Sequence, residues 1–279
     1  MREAVASSQF SVDGIVDRST QERAPTGADQ LSSGRKPWVE PNIESSPVGV
    51  VQAHSRGHKP VAIVAAMPME LTPLLGKIRP RQVNGICLVD LDRAVVAVGG
   101  MGEKCARHAA ETAIGEAQPA LLLSAGFAGA ISPGLKVGDV ARIREVVDAA
   151  TGRRYPTNGG EWVLATSQDV SNAAEKRELL MKFGADAVDM EAAAVAQVAS
   201  EQGLKFAAIK AISDDAGFVM PPLAQFIDKN GRFHKGRFLL YVAFRPKWWP
   251  TLAKMRTNSA IASANLCRAV KHLLVGSGQ

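Results

Sequence analysis

Three stretches of this chain, VAIVAAM at 61–67, ALLLSAG at 120–126 and KFAAIKAIS at 205–213, are nearly unbroken apolar runs of seven to nine residues. A strand with one wet face alternates polar and apolar residues, whereas a run of this kind leaves no face for water. Each run has the length of an ordinary strand, so the chain must cover both faces of a sheet. The covering lies between the runs. PMELTPLLGKI at 68–78 opens with a proline in the first helical turn, where its missing N–H does no harm. EKCARHAAETAIGEA at 103–117, the segment 172–183 and AAAVAQVAS at 192–200 read as further helices. ICLVDLDRAVVAVGG reads as a hairpin of strands around Asp90 to Arg93, and DVARIREVVDAA as another strand. Apolar strands alternating with helices define an α/β fold, with a mixed, mainly parallel central sheet flanked by helices.

Residues 1–59 carry no such periodicity. They mix Ser, Gly, Pro, Gln and both charge signs, and bury too little apolar surface to fold alone, so a disordered N-terminal tail is expected there. One domain is expected over 60–279, with 221–279 as a basic, aromatic helical extension. Cys87, Cys105 and Cys267 are far apart and form no CxxC, which fits a reducing, cytoplasmic setting and excludes a disulfide framework. The five histidines make no HExxH or related spacing, so no metal is expected. The chain opens with no apolar signal segment and contains no run long enough to span a bilayer.

In a mainly parallel sheet, ligands gather beyond the carboxyl ends of the strands. That rule selects Glu70 after the first run, the SAGFAGA loop after the second, Met190 and Glu191 after ADAVDM, and Asp214 after the third. Three carboxylates on one rim exceed what helix capping requires. Asp189, two residues before Glu191, suits an N-cap for the helix that follows. VAVGGMGEKC has the strand, glycines and helix of a dinucleotide fingerprint, but Cys105 stands where its third glycine or alanine belongs. No nicotinamide, flavin or other cofactor is expected.

VAIVAAMPMEL, SAGFAGAISPGLKVGDV and AVDMEAAAVAQVASEQGLKFAAIKAISDDA, in this order over 60–216, resemble the nucleoside phosphorylase superfamily. The pattern is similar to that of bacterial methylthioadenosine/S-adenosylhomocysteine nucleosidases. The resemblance implies cleavage of a purine nucleoside's N-glycosidic bond, with a 5′-modified adenosine as substrate and release of free base. It assigns Asp214 as the acid at purine N7, Glu191 as the holder of the ribose hydroxyls with Met190 under the sugar, and Glu70 as the residue that positions water. It places Met67, Met101, Gly126, Phe127 and Ser213 around the nucleoside, and leaves Asp215 to a structural role. Superfamily phosphorylases grip phosphate with an arginine and a serine beside the glycine loop, whereas Ser124 and Phe127 stand at the matching positions here. Backbone N–H groups at Gly126 and Gly129 remain as an anion cradle. Glu70 would repel phosphate, so water is the expected acceptor.

GFAGA is also similar to the loops of futalosine hydrolases and hopanoid-associated phosphorylases, and DVSNAAEKRELL and the chain after MPPLAQF resemble the hopanoid-associated group. These keep futalosine or a lipid-linked adenosine open as substrate, with phosphate or water as acceptor. The base-stacking aromatic of the nucleosidases has only Val170 as a counterpart. A non-catalytic nucleoside-binding module is the reading from another class. The implied partners are a small-molecule nucleoside and a second copy of the chain in a homodimer, with no nucleic acid.

From Lys229 to Lys271 the chain has no Asp or Glu, while Lys and Arg recur among Leu239, Leu240, Val242, Phe244, Trp248, Trp249, Leu252 and Met255. Trp beside Lys and Arg suits a helix lying in a membrane interface. On that reading 236–256 is a peripheral contact at the inner face of a membrane. The other reading packs these helices on the sheet or a second subunit.

Overall fold

The computed structural model describes residues 61–276, apart from 158, 227 and 229–232. The tail expected at 1–59 lies outside the described residues. The first apolar run forms β1 (Val61–Ala65), buried throughout, and leads into α1 (Pro68–Leu75). Glu70, in the first turn of α1, reaches back to the N–H of Met67 and so caps its own helix. The edge strand β2 (Arg81–Val83) pairs with β3 (Ile86–Leu91), which turns back as β4 (Ala94–Val98). The glycines after β4 carry the chain into α2 (Glu103–Ala117), Gly102 taking a φ of 90° that a side chain rarely tolerates.

The second run extends into a ten-residue strand, β5 (Leu121–Ala130). SAGFAGA is therefore strand and not the loop expected. β6 (Val140–Asp148), β7 (Arg154–Pro156) and β8 (Trp162–Thr166) follow. α3 (Ala173–Phe183) starts at a capping box, in which Asn172 Oδ1 accepts from the N–H groups of Ala174 and Glu175, and Glu175 accepts from the N–H of Asn172. β9 (Ala187–Asp189), α4 (Ala192–Glu201) and β10 (Lys205–Asp214) complete the α/β unit, and α5 (Lys235–Ala243) and α6 (Trp249–Gly276) form the extension.

The third run thus makes β10, which pairs parallel with β5 along most of its length. Parallel pairs build the middle of the sheet, β4-β1-β5-β10. Beyond them, β10 pairs antiparallel with β6, β6 parallel with β8, β8 parallel with β9, and β9 antiparallel with β5. That circuit closes the sheet on itself, with β1, β4, β3 and β2 continuing as an open wing. Apolar side chains of α2 and α4 pack on one face, and those of α1 and the second half of α6 on the other. This double cover is why the three runs could be apolar on both sides.

The extension divides between its two readings. Leu266, Val270 and Leu274 of α6 are buried against the sheet, and Val242 is buried with Phe226 and Phe238. Leu239, Leu240, Phe244 and Trp249 stay 63, 63, 78 and 56% exposed. Among the described residues, no helix is long and apolar enough to cross a membrane.

Candidate active site

The carboxyl ends of β1, β8, β9 and β10 meet around a cavity, and β5 runs through it instead of ending there. The cavity measures about 180 Å³, roughly ten times the room one water needs, so it fits a small organic molecule. Glu70, Glu191 and Asp214 all line it, together with Met67, Met101, Phe127, Met190 and Ser213. Gly126 does not.

Glu70 is buried. Its Oε2 accepts from the N–H groups of Ala66 (2.9 Å) and Met67 (2.8 Å), and its Oε1 from that of Phe127 (3.0 Å). Burial pushes its carboxyl above the usual range, against the pull of those N–H groups and of Lys210. A carboxylate made more basic in this way is better suited to take a proton from water.

Asp189 and Glu191 are two residues apart and face different surroundings. Asp189 is buried in the wall of the cavity, where its Oδ1 accepts from Thr166 Oγ1 (2.7 Å) and its Oδ2 from the N–H of Ala192 (3.0 Å). Lys210 Nζ approaches the same Oδ2 at 2.8 Å and donates to Ser124 Oγ at 2.9 Å. Burial disfavours the Lys210 ammonium, but the charges of Asp189 and Glu191 outweigh it and hold its pKa above the ordinary lysine value. Removing one partner of such a buried pair costs about 3–5 kcal/mol. Asp189→Asn is accordingly expected to lower unfolding free energy by that order, measured by urea titration. A loss under about 1 kcal/mol would mean that Lys210 does not depend on this partner.

Glu191 turns toward the cavity. Its Oε1 accepts from the N–H of Gly102 at 2.8 Å, at the start of α2, where the helix dipole favours negative charge. Burial and the neighbouring charge of Asp189 nevertheless push its pKa up from 4.5 to about 7. The glycine pair that looked like a dinucleotide fingerprint therefore delivers one N–H to a carboxylate.

Asp214 ends β10. Ser213 Oγ donates to its Oδ1 at 3.0 Å, and Lys176 Nζ to its Oδ2 at 2.6 Å, with both charged side chains no more than 6% exposed. A Cβ on Gly129 would lie 2.7 Å from Asp214 Oδ2, and one on Gly126 2.9 Å from Glu70 Oε1. The glycines of β5 make room for carboxylates, which is the wrong charge for the anion cradle expected from them. Asp215 points elsewhere, its Oδ2 lying 3.5 Å from Lys254 Nζ.

Several lining residues were not singled out in advance. Lys176 occupies the stripe 176, 179, 180, 183 of α3, whose other members are apolar, and a lysine at such a position is a readable signal. Lys210, which does not itself line the cavity, likewise interrupts the apolar stretch Phe206–Ile212 of β10. Ser171, beside Val170, is buried with a partnerless Oγ at the cavity wall, a hydroxyl left for a ligand. Met220, Leu223 and Met255 add apolar lining to the cavity, drawn partly from α6. Among the described residues, no cluster of His, Cys, Asp and Glu could hold a metal ion.

A closed mixed sheet that gathers carboxylates around a small-molecule cavity is the build of an enzyme. Residues 60–168 and 163–232 match the family described as the phosphorylase superfamily, so the chain belongs to that superfamily of enzymes. Among solved structures, the fold is similar to the futalosine hydrolase of Helicobacter pylori strain 26695, at 18% identity and TM-score 0.57, over 77% of this chain and 98% of that one. It is similar to a 5′-methylthioadenosine/S-adenosylhomocysteine nucleosidase from Neisseria meningitidis in complex with methylthio-immucillin-A, at 21% identity and TM-score 0.59, over 78 and 99%. An S-adenosylhomocysteine nucleosidase from Streptococcus pyogenes in complex with 5-methylthiotubericidin aligns at 18% identity and TM-score 0.60, over 81 and 99%.

Proposed function

We propose that this chain cleaves the N-glycosidic bond of a purine nucleoside with water and releases the free base. The observation that carries this reading is the arrival of Glu70, Glu191 and Asp214 at one cavity from three different strand ends. Bond cleavage leaves positive charge on the sugar and negative charge on the base. Glu191 steadies the sugar through its hydroxyls, Asp214 serves the base, and Glu70 takes the proton of the attacking water. Water is favoured over phosphate because carboxylates crowd the cavity and, among the described residues, no arginine lines it. A binding module without catalysis would have no need for all three carboxylates.

The apolar lining that Met220, Leu223 and Met255 add supports a 5′-substituent on the ribose, as in methylthioadenosine or S-adenosylhomocysteine. Futalosine or a lipid-linked adenosine suits the same lining. Chromatography of methylthioadenosine, S-adenosylhomocysteine, inosine and futalosine after incubation, with and without phosphate, tests the reading. Release of free base from at least one without phosphate is expected. No base from any of them would sink the activity, and a rate that requires phosphate would sink the choice of water. Asp189→Asn should keep most turnover per folded molecule, in contrast to Glu191→Gln.

A peripheral membrane contact is supported by Leu239, Leu240, Phe244 and Trp249, exposed beside Arg237, Arg245 and Lys247 in a segment without acids. Flotation with anionic liposomes at low salt should carry the protein upward, and substituting Phe244 and Trp249 by Ser should leave it in the soluble fraction. Wild-type protein that never floats removes this reading. Sedimentation velocity checks the homodimer implied by the sequence resemblance.

A further inference from the structure

The proposed reaction needs a proton at the purine, yet both oxygens of Asp214 already accept hydrogen bonds, from Ser213 and from Lys176. With both oxygens engaged, the proton that Asp214 delivers needs a source beside it. The nearest proton in the cavity wall is on Lys176. Two of its three N–H groups reach Asp214 Oδ2 and, at 3.3 Å, the carbonyl of Asp215, which leaves the third for a molecule in the cavity.

Stability does not account for this lysine. It sits in the apolar stripe of α3, where a leucine would pack without loss of solvation. Buried ion pairs are often matched or surpassed in stability by apolar residues of similar volume. The fold also reserves Gly129 for the pair, since a Cβ there would come within 3.0 Å of Lys176 Nζ as well as Asp214.

We propose that Lys176 is the positioning residue that holds and supplies the proton Asp214 delivers. The inference rests on Asp214 acting at the base, as proposed above. As the C–N bond breaks, its electron pair moves into the purine, while Lys176 Nζ passes a proton to Asp214 Oδ2 and Asp214 hands that proton on to N7. Water adds OH to the sugar carbon and gives its other proton to Glu70, which releases it to solvent. Lys176 is left a neutral amine and regains a proton from solvent once the base departs. One water is consumed and the protons balance.

The test uses the full chain with two substrates, the purine nucleoside it turns over and a 4-nitrophenyl riboside, whose leaving group needs no proton. Lys176→Gln keeps an N–H donor for Asp214 but has no proton to pass on. It should lower kcat on the nucleoside by at least about 10²-fold, with KM within about threefold, and lower turnover of the nitrophenyl riboside by less than about fivefold. Lys176→Arg keeps the buried charge balanced, so it covers a Lys176→Gln chain that does not fold. Its guanidinium holds its protons, and it should show the same kcat loss on the nucleoside. Equal losses on both substrates, a loss confined to KM, or full activity in Lys176→Arg would each overturn the proposal. A wild-type chain that cleaves neither substrate would overturn the function itself and this inference with it.

Discussion

Asp214→Asn is expected to reduce release of free purine by about 10²–10⁴-fold, the usual worth of a positioned acid or base. The amide keeps the shape of the side chain and can still accept from Ser213 or Lys176, so the cavity survives and nucleoside affinity should change by less than about tenfold. What disappears is a group that can carry a proton between Lys176 and the base. The wild-type enzyme supplies the control. A nucleoside with carbon in place of N7 has no lone pair there, so it should bind and remain intact. Rapid cleavage of that analogue, or an Asp214→Asn enzyme within tenfold of wild type, would show that the base leaves without a proton at N7.

The parts of this fold that show in the sequence are those where one physical demand dominates. β1, β5 and β10 are apolar on both faces because helices cover both, and that leaves unbroken runs. α3 announces its start through the Asn172 and Glu175 capping box and its end through Gly184. The short strands leave weaker marks. β2 and β7 are three residues each, and β8 matters only because β6 and β9 pair on either side of it, a long-range fact that local pattern does not contain. The closure of the sheet is legible nowhere in the pattern for the same reason.

The site divides along similar lines. The strand-end rule finds Glu70, Glu191 and Asp214 because it needs only element order. It misplaces the glycines of SAGFAGA, since glycine marks a loop and a strand pressed by carboxylates equally well. Lys176 and Lys210 are visible as charges on apolar stripes, but their partners are not, because Asp214 and Asp189 reach them through folds of the chain 38 and 21 residues long. A lone charge in an apolar stripe is a request for a partner, and here each request is answered by an aspartate at the rim of the sheet.

Glu191→Gln is expected to move activity and stability in opposite directions. Turnover should fall by about 10²–10³-fold, the order of effect of removing one group that meets developing charge. The wild-type pH profile follows from the same residue. Its carboxyl is pushed up to about 7 by burial and by Asp189, so the charged form that the proposed function sets against the sugar is lost as pH falls through 7. kcat/KM should therefore rise with pH across that window, and the rise should vanish in Glu191→Gln. For stability the sign reverses. A carboxyl that titrates near 4.5 in the unfolded chain and near 7 in the folded one holds more protons when folded between those values. Stability thus declines as pH climbs from 4.5 to 7, and the full penalty applies above 7. The neutral amide escapes it while still accepting from the N–H of Gly102. At pH 8 the variant should melt above wild type, by about 2–4 °C for each kcal/mol recovered, and the gap should shrink toward pH 5. Thermal denaturation at the two pH values decides it: a variant that melts below wild type at pH 8 would show that Glu191 is held in place by attraction to Lys210 more than it is strained by its burial beside Asp189.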